Sequence, residues 1–186
     1  MKHIPNFLSI VRVFLIFPMV YCFLSPQEWQ HLAVGCFVFA CLTDGMDGYL
    51  ARRYSVESKF GAFIDPVADK LLVSVSLILI VFSYVDILVL VPAIIIISRE
   101  IVISALREWM ALEALSSKVS VSWLGKFKTT FQMLAIVILM TVPDGFVLTF
   151  GIYLLWLSAA ITILSMSQYI IHAIVSIQEK QLKRLN

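Results

Sequence analysis

Apolar residues along this 186-residue chain fall into six long runs, 4–24, 29–50, 67–84, 87–106, 127–142 and 146–177, with polar residues gathered at their ends. Stretches such as Ile94-Ile95-Ile96-Ile97 leave no polar side for a half-buried strand, and the alternation that a transmembrane barrel needs is missing. Each run is therefore read as a helix that is apolar on nearly all sides. Several reach the roughly 20 residues needed to cross about 30 Å of hydrocarbon, where a helix satisfies its own backbone groups without water. The third and fifth runs are short, so the flanking polar residues must complete those helices. The pattern predicts an all-α integral membrane protein, a bundle of six transmembrane helices. No polar linker or low-complexity segment separates the runs, and residues 1–186 read as a single membrane-embedded domain.

Composition agrees: 61% of residues are hydrophobic and 14% are charged, with a mean hydropathy of +0.96, which excludes an ordinary soluble domain. Charge then sets the orientation. With both termini and the connections between helices two and three and between four and five on one side, all 14 Lys and Arg lie there. The opposite turns, 25–28, around Asp86 and 142–145, carry only acids. By the positive-inside rule the basic side faces the cytoplasm, so a multi-pass membrane protein is expected, with both termini and a polar cavity facing the cytoplasm.

The start, Met1-Lys2-His3 followed by an apolar run, has the outline of a signal peptide. Pro5, Asn6 and Arg12 interrupt that run, however, and Phe17, Tyr21 and Phe23 stand where a cleavage site needs small residues, so the segment is expected to be retained. Cys22, Cys36 and Cys41 lie inside apolar runs without C-x-x-C spacing and read as structural thiols. His3, His31 and His172 are isolated and read as interfacial polar residues.

Against this background, four aspartates within 26 residues are the main departure: Asp44, Asp47, Asp65 and Asp69. An acid at the centre of a membrane helix costs roughly 2.5–3.5 kcal/mol on insertion scales unless it meets a cation, a wet cavity or a metal. The spacing is Asp44-x-x-Asp47-Gly48-x-x-Ala51-Arg52, eight residues, then Gly61-x-x-x-Asp65-x-x-x-Asp69. On helices, Asp44, Asp47 and Ala51 share one face, as do Gly61, Asp65 and Asp69. Pro66 either begins the third helix or kinks it.

Four carboxylates brought together cannot all stay ionised without counter-charge. One reading pairs them with Arg52, Arg53, Lys59 and Lys70 as solvated interfacial charges. The other gives them a divalent metal, and an all-oxygen set without His or Cys suits Mg²⁺, Mn²⁺ or Ca²⁺ rather than zinc. Such ions would neutralise a pyrophosphate and help its leaving group depart. Positions without a side chain admit a bulky ligand, and Arg52 offers a fixed cation for a phosphate oxygen. The full pattern of acids, glycines and the Ala-Arg pair favours the second reading.

The segment from Asp44 to Asp69 resembles the signature of the CDP-alcohol phosphotransferase family, with every signature position filled. The resemblance implies that Asp44, Asp47, Asp65 and Asp69 bind two divalent metal ions, Mg²⁺ or Mn²⁺, and that Asp69 is also the catalytic base. It further implies that Gly48, Ala51, Arg52 and Gly61 form the nucleotide-binding site of a CDP-linked donor. Gly45, between the first two acids, weakens helix propensity there by up to about 1 kcal/mol without disturbing the motif.

The signature leaves the acceptor open. Ser98-Arg99-Glu100, Arg107-Glu108-Trp109 and 125–130 place four cations, Arg99, Arg107, Lys126 and Lys128, at the cytoplasmic ends of helices four and five. Glu100, Ser104 and Arg107 share a helical face. Arg99 and Glu100, as sequence neighbours, are not expected to face each other; Arg99 either pairs with an acid on another helix or binds a ligand. Lys118 reads as a lipid-headgroup anchor, and Lys126 and Lys128 as anchors or ligand contacts. A phosphorylated acceptor needs such cations, whereas choline or ethanolamine does not.

Residues 99–110 and 117–130, together with Ile4-Pro5-Asn6-x-Leu8-x-x-x-Arg12, are similar to the bacterial branch of that family that makes phosphatidylglycerophosphate. That similarity implies CDP-diacylglycerol and glycerol 3-phosphate as substrates, surrounding membrane lipid, no nucleic acid and a homodimer. Arg99, Arg107, Lys126 and Lys128 would hold the acceptor phosphate, while Asn6 and Arg12 either touch the donor's nucleotide from helix one or anchor the amino terminus. The same similarity implies a place in a bacterial inner membrane. Other acceptors of the family, serine, inositol phosphate or phosphatidylglycerol, are the nearest alternative. A cation channel or transporter would instead spread polar residues through the full depth of several helices, and here they concentrate at the cytoplasmic third.

Overall fold

A computed structural model describes residues 4–54, 59–112 and 123–185, and of these the side chains at 4–8, 46–54, 59, 60, 62, 123–127 and 179–185 fall outside the description. Among the described residues there are six α-helices and no strand: α1 Ile4–Leu24, α2 Gln30–Tyr54, α3 Lys59–Tyr84, α4 Ile87–Leu112, α5 Trp123–Met140 and α6 Gly145–Leu185. Every apolar run has become a helix. The two short runs are lengthened at their polar starts, to Lys59 in α3 and Trp123 in α5. Pro66 therefore lies inside α3 rather than at its beginning. Its missing N–H leaves the carbonyl of residue 62 without a helical donor, a single lost bond in a 26-residue helix.

Three helices hold stretches long and apolar enough to cross a membrane, Phe63–Tyr84, Ile87–Leu112 and Gly145–Gln178. The apolar parts of α1 and α5, Ser9–Leu24 and Lys128–Met140, are shorter. Phe14, Phe17, Ile78, Phe82, Ile94 and Ile101 are all more than half exposed. Water does not tolerate that much large apolar surface, and lipid does.

The chain divides into two compact units, Met1–Val85 with Ile136–Thr149, and Asp86–Ala135 with Phe150–Asn186. In the first, α1 packs against both α2 and α3 around Met19, Phe37, Leu77, Ile80, Ile136 and Leu139, all fully buried. The Tyr84 hydroxyl donates to the Leu139 carbonyl at 3.1 Å. In the second, Trp156 Nε1 of α6 donates to the Leu88 carbonyl of α4 at 2.9 Å, and Met110 and Ala173 pack with Leu106 and Ile177. At the start of α4, Asp86 accepts from the Leu88 N–H at 2.9 Å, the side-chain cap that an aspartate supplies there.

Candidate active site

The first unit gathers its charges around one arginine. Arg12, in the middle of α1, has no exposed surface. Its Nη1 lies 2.8 Å from Asp44 Oδ1 of α2 and also donates to Asp69 of α3; its Nη2 lies 3.6 Å from Asp65 Oδ1. Ser9, one turn before Arg12 on the same face, donates to Asp65 as well. Asp65 and Asp69 stand one turn apart on α3, and the buried Gly61 one turn before them. Three helices thus meet through one guanidinium and three carboxylates.

Exposure separates the partners. Arg12 is wholly enclosed, while the side chains of Asp44, Asp65 and Asp69 keep 52%, 40% and 43% of their surface, so each acid still has surface for another ligand. Among the described residues no three acidic, His or Cys side chains converge on one point at metal-ligand distance; the carboxylates are grouped around the guanidinium. The donor set nevertheless fits a hard divalent cation, because it is all oxygen and already stabilises a positive charge. The side chains of Asp47, Ala51, Arg52 and Asn6, together with Gly48, lie outside the described residues.

A second polar cluster lies in the other unit. Glu100 Oε1 of α4 accepts from Lys128 of α5 and, at 3.1 Å, from Arg99 Nη1. Arg99 Nη2 donates to Ser165 Oγ of α6 at 2.8 Å. This corrects the expectation that Arg99 and Glu100 do not face each other: both chains are long enough to bend from neighbouring positions toward the same side, where Lys128 and Ser165 wait. Lys128 is only 3% exposed in its side chain, which removes it from the headgroup-anchor reading. Arg107, on the face it shares with Glu100, lies over the Tyr169 ring at 5.5 Å. Lys126 has its side chain outside the described residues, and Lys118 falls wholly outside them.

A protein-family model described as CDP-alcohol phosphatidyltransferase matches residues 2–164. The chain belongs to that family. Proteins of Sodalis glossinidius, Pectobacterium atrosepticum and Escherichia coli K12 are each 46% identical to it over 169 residues, 90% of this chain and 93% of theirs. All three carry the name CDP-diacylglycerol–glycerol-3-phosphate 3-phosphatidyltransferase. CDP-alcohol phosphatidyltransferases use divalent metal ions, in accord with the oxygen donors of Asp44, Asp65 and Asp69. The apolar helices and the bacterial relatives together mark a bacterial membrane enzyme.

Sequence reasoning missed Ser9 and Ser165 and did not give Glu100 its bridging role. Ser9 carried a signal, since it shares a face with Arg12 at three-residue spacing. Ser165 did not: a lone serine in a 41-residue helix with several others has nothing to distinguish it.

Proposed function

We propose that this enzyme transfers the phosphatidyl group of CDP-diacylglycerol to glycerol 3-phosphate, giving phosphatidylglycerophosphate and CMP. The observation that carries the reading is the 46% identity over 90% of the chain to proteins whose names state this reaction. The complete four-aspartate signature within the matched segment supports it.

In this reading Asp44, Asp47, Asp65 and Asp69 hold two divalent ions, Mg²⁺ or Mn²⁺. Bound there, such ions neutralise the donor's pyrophosphate and stabilise charge on the departing CMP. Gly48, Ala51, Arg52 and Gly61 lie against the cytidine diphosphate, with Asn6 nearby. Asp69 removes the proton from the acceptor's primary hydroxyl, the freed oxygen attacks the β-phosphorus, and the bond from that phosphorus to the bridging oxygen breaks as CMP leaves. Positioning and charge neutralisation supply most of the rate enhancement.

Arg99, Arg107, Lys126 and Lys128 bind the acceptor phosphate. Arg99 supports this assignment in particular, because its Nε is buried without a hydrogen-bond partner while Glu100 and Ser165 fix the rest of the guanidinium. A buried donor left unmatched costs roughly 1–3 kcal/mol, which a phosphate oxygen would recover. Residues 1–186 form one domain in this reading, since the family model runs across both compact units. Six helices span the inner membrane, both termini and a polar cavity face the cytoplasm, and the enzyme works as a homodimer among membrane lipids.

The test is turnover of purified enzyme with CDP-diacylglycerol and a panel of acceptors. Glycerol 3-phosphate is expected to be used best, and equal or faster turnover with serine, inositol phosphate or phosphatidylglycerol would overturn the assignment.

A further inference from the structure

An arginine with no exposed surface in an apolar helix needs a reason, because a buried charge must be both paired and hydrogen-bonded to be tolerated. The partners of Arg12 named above lie across on α2 and α3, and each is a carboxylate. Around it the described charges sum to one positive and three negative, a net of two negative. That negative excess, to which the proposed fourth ligand Asp47 adds, favours the binding of divalent cations. The guanidinium meets the acids from the protein side, and their exposed portions lie elsewhere.

These facts set Arg12 and a divalent ion in competition. Asp44 Oδ1 and Asp69 Oδ1 both face one nitrogen of the guanidinium, and a lone pair spent on that contact is not available to a metal. We infer that Arg12 is a built-in counter-cation that holds the aspartates of α1's neighbours in place without metal and, by competing for their oxygens, sets how tightly divalent ions bind. It is a positioning residue and acts through the acids. Ser9 completes the arrangement by holding Asp65 from the same face of α1. The inference rests on the reading of Asp44, Asp65 and Asp69 as metal ligands.

The experiment titrates Mn²⁺ alone into detergent-purified enzyme, without nucleotide, following free Mn²⁺ by electron paramagnetic resonance and thermal unfolding in parallel. Arg12→Gln is expected to unfold at lower temperature than wild type without metal, to gain more on adding Mn²⁺, and to bind it about tenfold more tightly, about 1.4 kcal/mol. Arg12→Lys keeps the charge but cannot span three carboxylates, and an intermediate gain of about two- to fivefold is expected, since a point charge lacks the fork of donors. If Arg12→Gln yields no folded protein, Arg12→Lys decides by the same measurement. Wild-type binding with unchanged or weaker affinity in the variants would overturn the competition while leaving the metal site intact. No saturable Mn²⁺ response in wild type would instead overturn the metal-ligand reading, and this inference with it.

Discussion

Arg99 of α4 donates to the hydroxyl of Ser165 on α6 over 2.8 Å, while its other terminal nitrogen faces Glu100 at 3.1 Å. The planar guanidinium is thereby held at two points, and its buried Nε has no hydrogen-bond partner, so that in the acceptor-site reading it is aimed at the phosphate. Preorganisation of this kind lowers the entropy that binding must supply.

Ser165→Ala should loosen that aim without touching the acidic centre. The Michaelis constant for glycerol 3-phosphate is expected to rise about three- to tenfold, the equivalent of one neutral hydrogen bond of roughly 1 kcal/mol, with kcat within about twofold. Ser165→Thr, which keeps the hydroxyl, should restore it. Steady-state kinetics at saturating CDP-diacylglycerol measures both, and an unchanged constant in Ser165→Ala would reduce Ser165 to a packing residue.

Glu100→Gln tests the same cluster through stability. The substitution keeps the side chain's shape but leaves Arg99 and Lys128 facing each other without a carboxylate between them. Removing one partner of a buried pair costs up to about 3–5 kcal/mol; Glu100 is 21% exposed, so a loss of about 1–3 kcal/mol is expected, read as a lower unfolding temperature. Glycerol 3-phosphate should recover more of that temperature in the variant than it adds to wild type, because its phosphate supplies the missing anion. Equal ligand shifts in the two proteins would separate Glu100 from the acceptor site.

The six helices and the grouping of Asp44, Asp65 and Asp69 were legible for the same reason. Apolar runs and four carboxylates at helical spacing are local patterns, and each residue's neighbours in sequence carry the signal. Arg12 was legible only as an oddity, because the carboxylates of Asp44 and Asp69 that it meets lie 32 and 57 residues away. The Arg99–Glu100 contact misled in the opposite sense. The helical wheel treats neighbours as pointing apart, but Lys128 and Ser165 on other helices draw these two long side chains together. Pro66 shows a third limit, since a helix that otherwise satisfies its own backbone absorbs one missing donor and runs on from Lys59.

Gly45→Ala should stabilise the protein. Gly45 lies well inside α2, and a Cβ built there meets nothing within 4 Å, so the methyl group brings no clash. Alanine in place of glycine in a helix interior gains about 0.5–1 kcal/mol, largely by restricting the unfolded chain. Thermal unfolding should show a rise of a few degrees with turnover preserved. A fall in stability, or lost turnover in a protein of normal stability, would mean that the space beside Gly45 is needed by a ligand.

Asp69→Asn bears most directly on the chemistry. The carboxamide oxygen can still accept from Arg12, so the helices should stay together and the unfolding profile should remain close to wild type. A proton acceptor has been lost, however, and general-base catalysis is commonly worth about 10²–10⁴ in rate; kcat is expected to fall by at least that much. Asp65→Asn supplies the contrast, since it weakens metal binding but leaves the base in place. Raising Mn²⁺ should therefore recover much of the activity of Asp65→Asn and little of that of Asp69→Asn. Activity within about tenfold of wild type in Asp69→Asn would remove Asp69 as the base, because a residue of that role cannot be replaced by an amide at so small a cost. Equal recovery of both variants by Mn²⁺ would leave Asp69 a ligand only, and the proton would have to pass to another group.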